Sequence, residues 1–231
     1  MPKPVVLVHG AFLGAWAWSE VVAELGGRGV STSAVDLVSQ GPEGSLEDDA
    51  ALVREVVAAA GEPVVLVGQS YGGMVITEAS AANDGIATLV YVCAALPDEG
   101  DSVNSLMAAD PHPTTLGEGI RTVGDGPMAT LDPDTVRAVP AHDVAEAVLT
   151  GKLASMGQHQ MGTFSEAAGA LGHLEHPSVY VVTTEDRVFS PELQRTMAQR
   201  AGRTVDLAAS HFPMFSKPTE LAAVLAEVAA D

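Results

Sequence analysis

Ser70 is the residue whose surroundings point most directly to chemistry. It lies in Gly68-Gln69-Ser70-Tyr71-Gly72, with the apolar run Pro63–Val67 before it and a helical pattern from Met74 to Ala82 after it. A serine in the spacing G-x-S-x-G, at a sharp turn between a strand and a helix, is held in a strained conformation that exposes its hydroxyl. Side chains at positions 68 and 72 would collide with neighbouring backbone in so tight a turn. The pattern predicts a nucleophilic serine; the alternative is an ordinary turn with an incidental serine.

A turn of this kind is the nucleophile elbow of the α/β-hydrolases, in which the acid and then the histidine follow the serine along the chain. The serine hydroxyl needs a base within hydrogen-bond reach. His211 fits because it lies beyond the last predicted strand and before the last predicted helix, on a loop where a mobile imidazole could swing over Ser70. His9 precedes the serine. The other histidines lie in a long insert or just after it, where we expect solvated or structural roles or contact with substrate: His112, His142, His159, His173 and His176.

The base needs a carboxylate to fix its tautomer. Val181–Thr184 reads as the end of a strand, and Glu185 and Asp186 follow it directly. We predict Asp186 as the acid because it lies deeper in the turn, with Glu185 as the near alternative. A less usual arrangement places the acid after the preceding strand, at Asp98 or Glu99. For each of these carboxylates the ordinary alternative is a solvated loop position.

A serine hydrolase also needs backbone donors for the oxyanion of the tetrahedral intermediate. One donor is the N–H after the nucleophile, which belongs to Tyr71. The other comes from the loop after the first strand, His9–Gly14, where we predict the N–H of Ala11. Gly10 allows the backbone to approach the substrate closely. We expect His9 to hold this loop through its ring nitrogens.

Short apolar runs alternate with segments of helical period, which indicates a mainly parallel sheet of about six strands with helices on both faces, the α/β-hydrolase fold. Helix signals include the capping box of Ser45 and Asp48, and Ser190 and Ser216 as caps near first-turn prolines. The predicted helices include 16–25, 143–156 and the segment after Ser70. The predicted strands are Pro4–Val8, Val30–Leu37, Pro63–Val67, Ile86–Cys93, Ser178–Thr183 and Thr204–Leu207.

One long stretch breaks this alternation before the penultimate strand. A structureless loop of that length is improbable in a compact domain, so we predict that residues 97–172 form a small, mostly helical cap. The cap is an insertion within a single domain, 1–231. Ligands of open α/β sheets bind outside the carboxyl ends of the strands, so a cap placed there would cover the site.

Composition restricts the partners of this chain. The formal charge of −19 disfavours nucleic acid and anionic membranes. Cys93 is the only cysteine, so no intrachain disulfide forms, and we expect it to be a small buried residue. We read no signal peptide, no membrane span and no metal-binding motif, and expect a cytoplasmic enzyme without cofactor. Alanine, glycine and valine far outnumber lysine, a composition typical of a bacterial source. The sequence leaves a homodimer open.

Several blocks together resemble the plant methylesterase and hydroxynitrile lyase family and its bacterial esterase relatives. They are Val6–Ala11, Gly14–Trp18, the elbow, Leu96–Asp98, Thr184–Glu192 and Ser210-His211. The resemblance spans the core, whereas the cap is only loosely alike. It implies a triad of Ser70, Asp186 and His211, with Ala11 and Tyr71 as the oxyanion hole.

Two positions separate this chain from the lyases of that family. Lyase members typically carry a threonine after the histidine of the first loop and a lysine after the catalytic histidine, where this chain has Gly10 and Phe212. The pattern therefore matches the esterase branch. Tyr71 also differs from the aliphatic residue or cysteine common in the family, and its side chain is expected to narrow the pocket or to offer a polar group.

These observations predict a serine carboxylic ester hydrolase that acts through an acyl-enzyme on a small-molecule ester. Phe12, Tyr71 and Phe212 are the predicted substrate-binding residues, with Met156 and Met161 as further pocket candidates from the cap. The expected substrates are small to medium, mainly apolar esters, such as methyl esters or lactones. The alternatives are a carbon–carbon lyase of the hydroxynitrile type, and a hydrolase-fold protein that acts as a ligand binder or natural-product cyclase.

Overall fold

Six parallel strands form the central sheet of the protein. The computed structural model describes all 231 residues, from Met1 to Asp231. The strands of the chain are β1 (Val5–Val8), β2 (Thr32–Val35), β3 (Val64–Gln69), β4 (Ile86–Val92), β5 (Ile120–Thr122), β6 (Met128–Leu131), β7 (His159–Gln160), β8 (Ser178–Thr183) and β9 (Arg203–Leu207). The sheet has the order β2-β1-β3-β4-β8-β9, and each neighbouring pair in it is parallel. All six predicted strands are present, and β2 is shorter at both ends than predicted.

The sheet is buried on both faces because its strands are apolar at nearly every position. Successive residues of a strand point to opposite faces. Val5 and Leu7 accordingly belong to one hydrophobic cluster, and Val6 and Val8 belong to a second cluster on the other side. A strand buried on both faces reads as a continuous apolar run, which is why the sequence indicates a parallel sheet so clearly.

Helices cover each face of this sheet. Apolar residues of α1 and α9 belong to the cluster on one side, and those of α2, α3 and α7 belong to the cluster on the other side. The helices are α1 (Ser19–Gly27), α2 (Leu46–Ala60), α3 (Gly72–Ser80), α4 (Val103–Ala108), α5 (Pro133–Ala138), α6 (Glu146–Leu153), α7 (Pro191–Ala198), α8 (Pro213–Ser216) and α9 (Pro218–Ala230). Short 3-10 helices occupy Ala15–Trp18, Val38–Gln40, Leu116–Gly119, Met161–Ser165 and Gly172–Leu174. None of the helices has the length and apolarity to cross a membrane.

Two of the three predicted helix caps are confirmed. Ser45 and Asp48 form a reciprocal capping box at the start of α2, and the side chain of Ser190 accepts the N–H of Leu193 in α7. The prediction for Ser216 is wrong. This residue ends the separate short helix α8, and its buried hydroxyl has no hydrogen-bond partner. Pro218 does stand in the first turn of α9, but Lys217 precedes it without a capping side chain.

The segment 97–172 contains three short helices, α4 to α6, and an antiparallel sheet in the order β5-β6-β7. The predicted helix 143–156 is shorter, since α6 covers only Glu146–Leu153. Strands of two to four residues are too short to show a period of two, so this small sheet could not be predicted from the sequence. Leu131 and Leu149 of the segment pack in the same cluster as Phe212 and Phe215, beyond the carboxyl end of β9. We propose that the segment forms a cap within a single domain.

The capping box of α2 offers a direct test of helix stabilisation. Ser45→Ala removes the side-chain acceptor of the Asp48 N–H. We expect a loss of about 1 kcal/mol in unfolding free energy, and a fall of roughly 2–4 °C in Tm. Thermal unfolding followed by circular dichroism measures the change. Ser45→Asn keeps a capping oxygen and should remain close to the unsubstituted protein; an equal loss in both variants would contradict the assignment.

Candidate active site

Ser70 lies at the turn between β3 and α3 in a conformation that non-glycine residues rarely adopt, with φ of 54°. Two glycines make this turn sterically feasible. A Cβ at position 68 would overlap the carbonyl group of Gly72, and one at position 72 would lie 2.8 Å from the carbonyl oxygen of His9. The strained serine thus has the elbow geometry that the G-x-S-x-G spacing predicts.

The structure brings Ser70, His211 and Asp186 into one chain of hydrogen bonds. The distance between Ser70 Oγ and His211 Nε2 is 2.9 Å, and His211 Nδ1 lies 2.7 Å from Asp186 Oδ2. Because the carboxylate accepts from Nδ1–H, Nε2 of the neutral ring is left to accept the serine proton. This is the arrangement in which a histidine acts as general base toward a serine.

The side chain of Asp186 is fully buried and has hydrogen-bond partners on both oxygens. Oδ1 accepts the backbone N–H groups of Val188 and Phe189 at 2.7 and 3.2 Å. Oδ2 accepts from His211, from the hydroxyl of Thr183 and from the amide of Gln194. These donors satisfy both oxygens of the buried carboxylate and fix its orientation.

The other candidate acids lie elsewhere. Glu185 is exposed. Asp98 is also exposed, and its carboxylate lies 3.8 Å from the guanidinium of Arg200. Among the candidates that the sequence left open, only Asp186 contacts His211.

The loop that carries His211 is tied down on both sides of the histidine. The Ser210 N–H donates to Asp143 Oδ2 at 2.9 Å, and its hydroxyl donates to the carbonyl of Pro140 at 2.8 Å. The Phe212 N–H donates to the same carbonyl at 3.1 Å. The backbone of the loop that carries the imidazole is thus held by residues of the 97–172 segment, contacts that the sequence alone does not reveal.

The two predicted oxyanion donors are free to receive a ligand. The backbone N–H groups of Ala11 and Tyr71 donate to no acceptor in the protein. His9 orients the first of them, as predicted, through both ring nitrogens. Its Nδ1 donates to the Gly10 carbonyl at 2.7 Å, and its Nε2 accepts the Leu37 N–H at 3.2 Å. The Gly10 carbonyl and the Ala11 N–H belong to one planar peptide unit, so a fixed carbonyl also fixes the N–H that points the opposite way.

A narrow cavity of ≈ 30 Å³ opens onto Ser70 and His211, and 11 of its 15 lining residues are hydrophobic. Phe12, Tyr71 and Phe212 all line it, as predicted, whereas Met156 and Met161 do not and pack against the hydrophobic clusters instead. The sequence missed the remaining apolar walls: Val103, Met107, Leu116, Leu131, Pro140, Phe164, Val188 and Phe189.

Tyr71 contributes its ring to the cavity, while its hydroxyl serves another purpose. The hydroxyl donates to Asp49 Oδ2 at 2.9 Å, and Asp49 Oδ1 accepts the Ser39 N–H at 2.9 Å. Burial raises the pKa of the Asp49 carboxyl, and burial beside that carboxylate raises the pKa of Tyr71. The expectation that Tyr71 offers substrate a polar group is therefore not met, because that group is already bonded behind the cavity wall.

Cys93 is buried, as predicted, and lies directly against the base loop. Its thiol contacts the His211 carbonyl at 3.4 Å, and burial raises its pKa well above the usual value. Cys93, Asp186 and His211 form one group whose ligand atoms lie within 4.8 Å of one another. A metal would need the thiolate and would have to displace the bond between Asp186 and His211. These residues are better suited to proton transfer than to metal binding.

Comparison with known proteins identifies the family of this chain. A model described as the alpha/beta hydrolase family matches residues 5–224. Esterase PIR7B of Oryza sativa subsp. japonica is 30% identical, with 98% of this chain and 96% of the relative covered. Methylesterase 7 of Arabidopsis thaliana is 29% identical, with 98% and 96% covered.

Solved structures give the same fold. A pyrethroid hydrolase from Sphingobium faniae JZ-2 has a TM-score of 0.84 and 25% identity, with 99% of this chain and 97% of that chain covered. Polyneuridine aldehyde esterase has a TM-score of 0.83 and 22% identity over the full length of both chains, 100% each. The fold expected from the sequence and the resemblance to the plant methylesterases are thereby confirmed.

Replacement of Asp186 tests the role of its carboxylate. In Asp186→Asn, the new NH₂ group faces donors, and the amide no longer favours the tautomer with a proton on Nδ1. We expect kcat to fall by about 10⁴-fold, the loss seen for such a change in a serine protease triad. Glu185→Gln changes the adjacent exposed carboxylate and should leave kcat unaltered. A larger loss in Glu185→Gln than in Asp186→Asn would assign the acid to Glu185.

Two buried histidines, His9 and His159, predict that the folded protein loses stability in acid. Burial lowers the pKa of His9 to about 4 and that of His159 to about 3. Between pH 6.5 and 4 both rings are neutral when folded and protonated when unfolded, so stability is present above pH 6.5 and is lost as the pH falls. Each ring contributes a slope of about 1.4 kcal/mol per pH unit.

His159→Gln isolates one of these contributions. Urea unfolding at several pH values between 7 and 4.5 measures the slope of unfolding free energy against pH. We expect the variant to be less stable at pH 7 and to lose less stability than the unsubstituted protein on acidification. Equal slopes in the two proteins would show that His159 is already protonated in the folded state.

Proposed function

Because this chain belongs to the α/β-hydrolase family, we propose that it is a serine carboxylic ester hydrolase that acts through an acyl-enzyme. The observation that carries the proposal is the continuous hydrogen-bond chain from Ser70 through His211 to Asp186, at the end of an apolar cavity. The names of its relatives, an esterase and a methylesterase, support the same reaction class.

In the first half of the reaction, Ser70 Oγ attacks the acyl carbonyl carbon as His211 Nε2 takes the hydroxyl proton. Asp186 stabilises the imidazolium that forms and keeps the ring oriented. The carbonyl oxygen becomes an oxyanion that accepts from the Ala11 and Tyr71 N–H groups, each worth about 3 kcal/mol in comparable enzymes. His211 then gives the proton to the alkoxide oxygen, and the alcohol leaves.

Water completes the cycle by the same route. His211 Nε2 removes a proton from water as its oxygen attacks the acyl-enzyme. The second tetrahedral intermediate collapses when the proton returns to Ser70 Oγ, which releases the carboxylic acid. Every proton and bond is accounted for by Ser70, His211 and the substrates, so the proposed reaction needs no cofactor.

The cavity favours small to medium, mainly apolar esters, such as methyl esters or lactones. Its walls carry aliphatic and aromatic side chains and, apart from His211, no ionisable side chain other than the bonded Tyr71. A charged substituent would lose its hydration there without a partner.

A hydroxynitrile-type lyase is less consistent with this site. Its family members rely on a hydroxyl and a cation at the positions of Gly10 and Phe212. The side chain of Phe212 is buried and apolar, and a Cβ at position 10 would already lie 2.8 Å from Ser70 Cβ. A pure binding protein would not require the hydrogen-bonded alignment of Ser70, His211 and Asp186.

Ser70→Ala tests the proposal. Stopped-flow turnover of p-nitrophenyl acetate and butyrate by the unsubstituted protein should show a burst of p-nitrophenol equal to the enzyme concentration, and the variant should show neither burst nor turnover. Ser31→Ala is a matched control, because Ser31 is exposed and lies at the amino end of β2, whereas Ser70 lies beyond the carboxyl end of β3. It should behave like the unsubstituted protein.

Absence of ester turnover by the folded, unsubstituted protein would overturn the proposal. Mandelonitrile cleavage would then be measured. Cleavage that depends on His211 would establish the lyase instead.

A further inference from the structure

Gln69, the last residue of β3, has a fully buried side chain directly beside Ser70. Its Oε1 accepts the Gly10 N–H at 3.1 Å, and its Nε2 donates to the His211 carbonyl at 2.9 Å. Gly10 begins the loop that presents the Ala11 N–H, and His211 lies on the loop that presents the imidazole. One side-chain amide therefore bonds both loops.

These two bonds have no substitute in the structure. The Gly10 N–H donates to no other acceptor. The His211 carbonyl has only the thiol of Cys93 as a further neighbour, at 3.4 Å, and a thiol is a weak donor. Loss of the amide would leave a buried donor unpaired and an acceptor poorly paired, which a dry interior tolerates badly.

The two partners of position 69 need a side chain that both accepts and donates a hydrogen bond. One partner is a donor and the other an acceptor, and a neutral carboxamide offers one group to each. An ionised carboxylate cannot donate to the His211 carbonyl, and an apolar side chain can bond neither partner. The span also matters, because the amide must reach backbone groups on opposite sides of the nucleophile.

We propose that Gln69 is a positioning residue that fixes the separation between the oxyanion loop, 9–14, and the base loop, 208–213. It ensures that the Ala11 N–H and the His211 imidazole converge on one substrate acyl group. This inference rests on the proposed ester hydrolysis. The tetrahedral intermediate needs the Ala11 N–H and the His211 imidazole in place at the same time. Substrate binding in the apolar cavity does not need them, so we expect loss of the Gln69 amide to lower kcat and not to change KM.

An amide with a purely structural role would stabilise the fold without a specific effect on kcat. The two roles differ in the kinetic parameter that changes. A positioning role predicts a lower kcat at nearly constant KM, since misplacement by about 1 Å costs on the order of 10²-fold in rate. A structural role predicts a lower Tm with unchanged kcat below the unfolding temperature.

The experiment compares Gln69→Met with Thr77→Val. Methionine has nearly the same shape as glutamine but can form neither hydrogen bond. Thr77 is a buried residue of α3 whose hydroxyl bonds Tyr91 and the Gly73 carbonyl, away from the triad, so its replacement is a matched loss of buried hydrogen bonds. Turnover of p-nitrophenyl acetate and the Tm are measured for both, beside the unsubstituted protein and Ser70→Ala.

We expect Gln69→Met to lower kcat by about 10- to 100-fold with KM within about twofold, and Thr77→Val to keep kcat while its Tm falls. A trifluoromethyl ketone forms a tetrahedral adduct with serine, so its affinity should fall with kcat/KM in Gln69→Met. Affinity for the matching methyl ketone should not change.

A folded Gln69→Met with unchanged kcat would overturn the role of Gln69. Lack of Ser70-dependent turnover in the unsubstituted protein would instead overturn the ester hydrolase, so the two failures are distinguishable. If Gln69→Met does not fold, Gln69→Asn is measured in the same way. Its amide is polar but one methylene too short to reach both loops, and an unchanged kcat there would equally overturn the proposal.

Discussion

The strained backbone at Ser70 is the constraint on which the rest of the site depends. A residue with positive φ between a strand and a helix persists only if its surroundings leave no alternative. Here β3 is buried on both faces, α3 packs directly behind the turn, and Gly68 and Gly72 let the two backbones approach within contact distance. The hydrophobic core thus supplies the free energy that holds one hydroxyl at the carboxyl edge of the sheet.

The fixed Ser70 hydroxyl can react only if Asp186 and His211 are held equally firmly. The carboxylate of Asp186 accepts from two backbone donors and two neutral side-chain donors besides His211, so it keeps one orientation toward the histidine. The base loop is fixed from the other side by Asp143 and Pro140 of the 97–172 segment. This segment therefore both lines the cavity and supports the histidine, which links its placement to proton transfer.

Sequence predicted the parts of the site that follow from local rules. Strand ends and chain order point to the elbow, to a carboxylate after β8 and to the histidine after β9, so Ser70 and His211 could be proposed from the sequence. Asp186 is preferred there, with Glu185 and Asp98 left as alternatives. Gln69 could not be proposed, since its partner at His211 is 142 positions away and only the folded backbone brings the carbonyl within reach. The small antiparallel sheet of β5, β6 and β7 was not predicted for a different reason: its strands are too short to show a periodic pattern of apolar residues.

Tyr71 shows why a residue type does not reveal which of its groups meets the substrate. A tyrosine beside the nucleophile suggests a polar contact, yet its hydroxyl is paired with the buried Asp49 and only its ring lies at the cavity. The pair anchors Tyr71 to α2, and the backbone N–H of the same residue is the predicted oxyanion donor. A buried polar pair costs free energy unless both members are satisfied. Here the Ser39 N–H satisfies the second carboxylate oxygen, so the chain keeps a rigid donor and an apolar cavity wall at the same position.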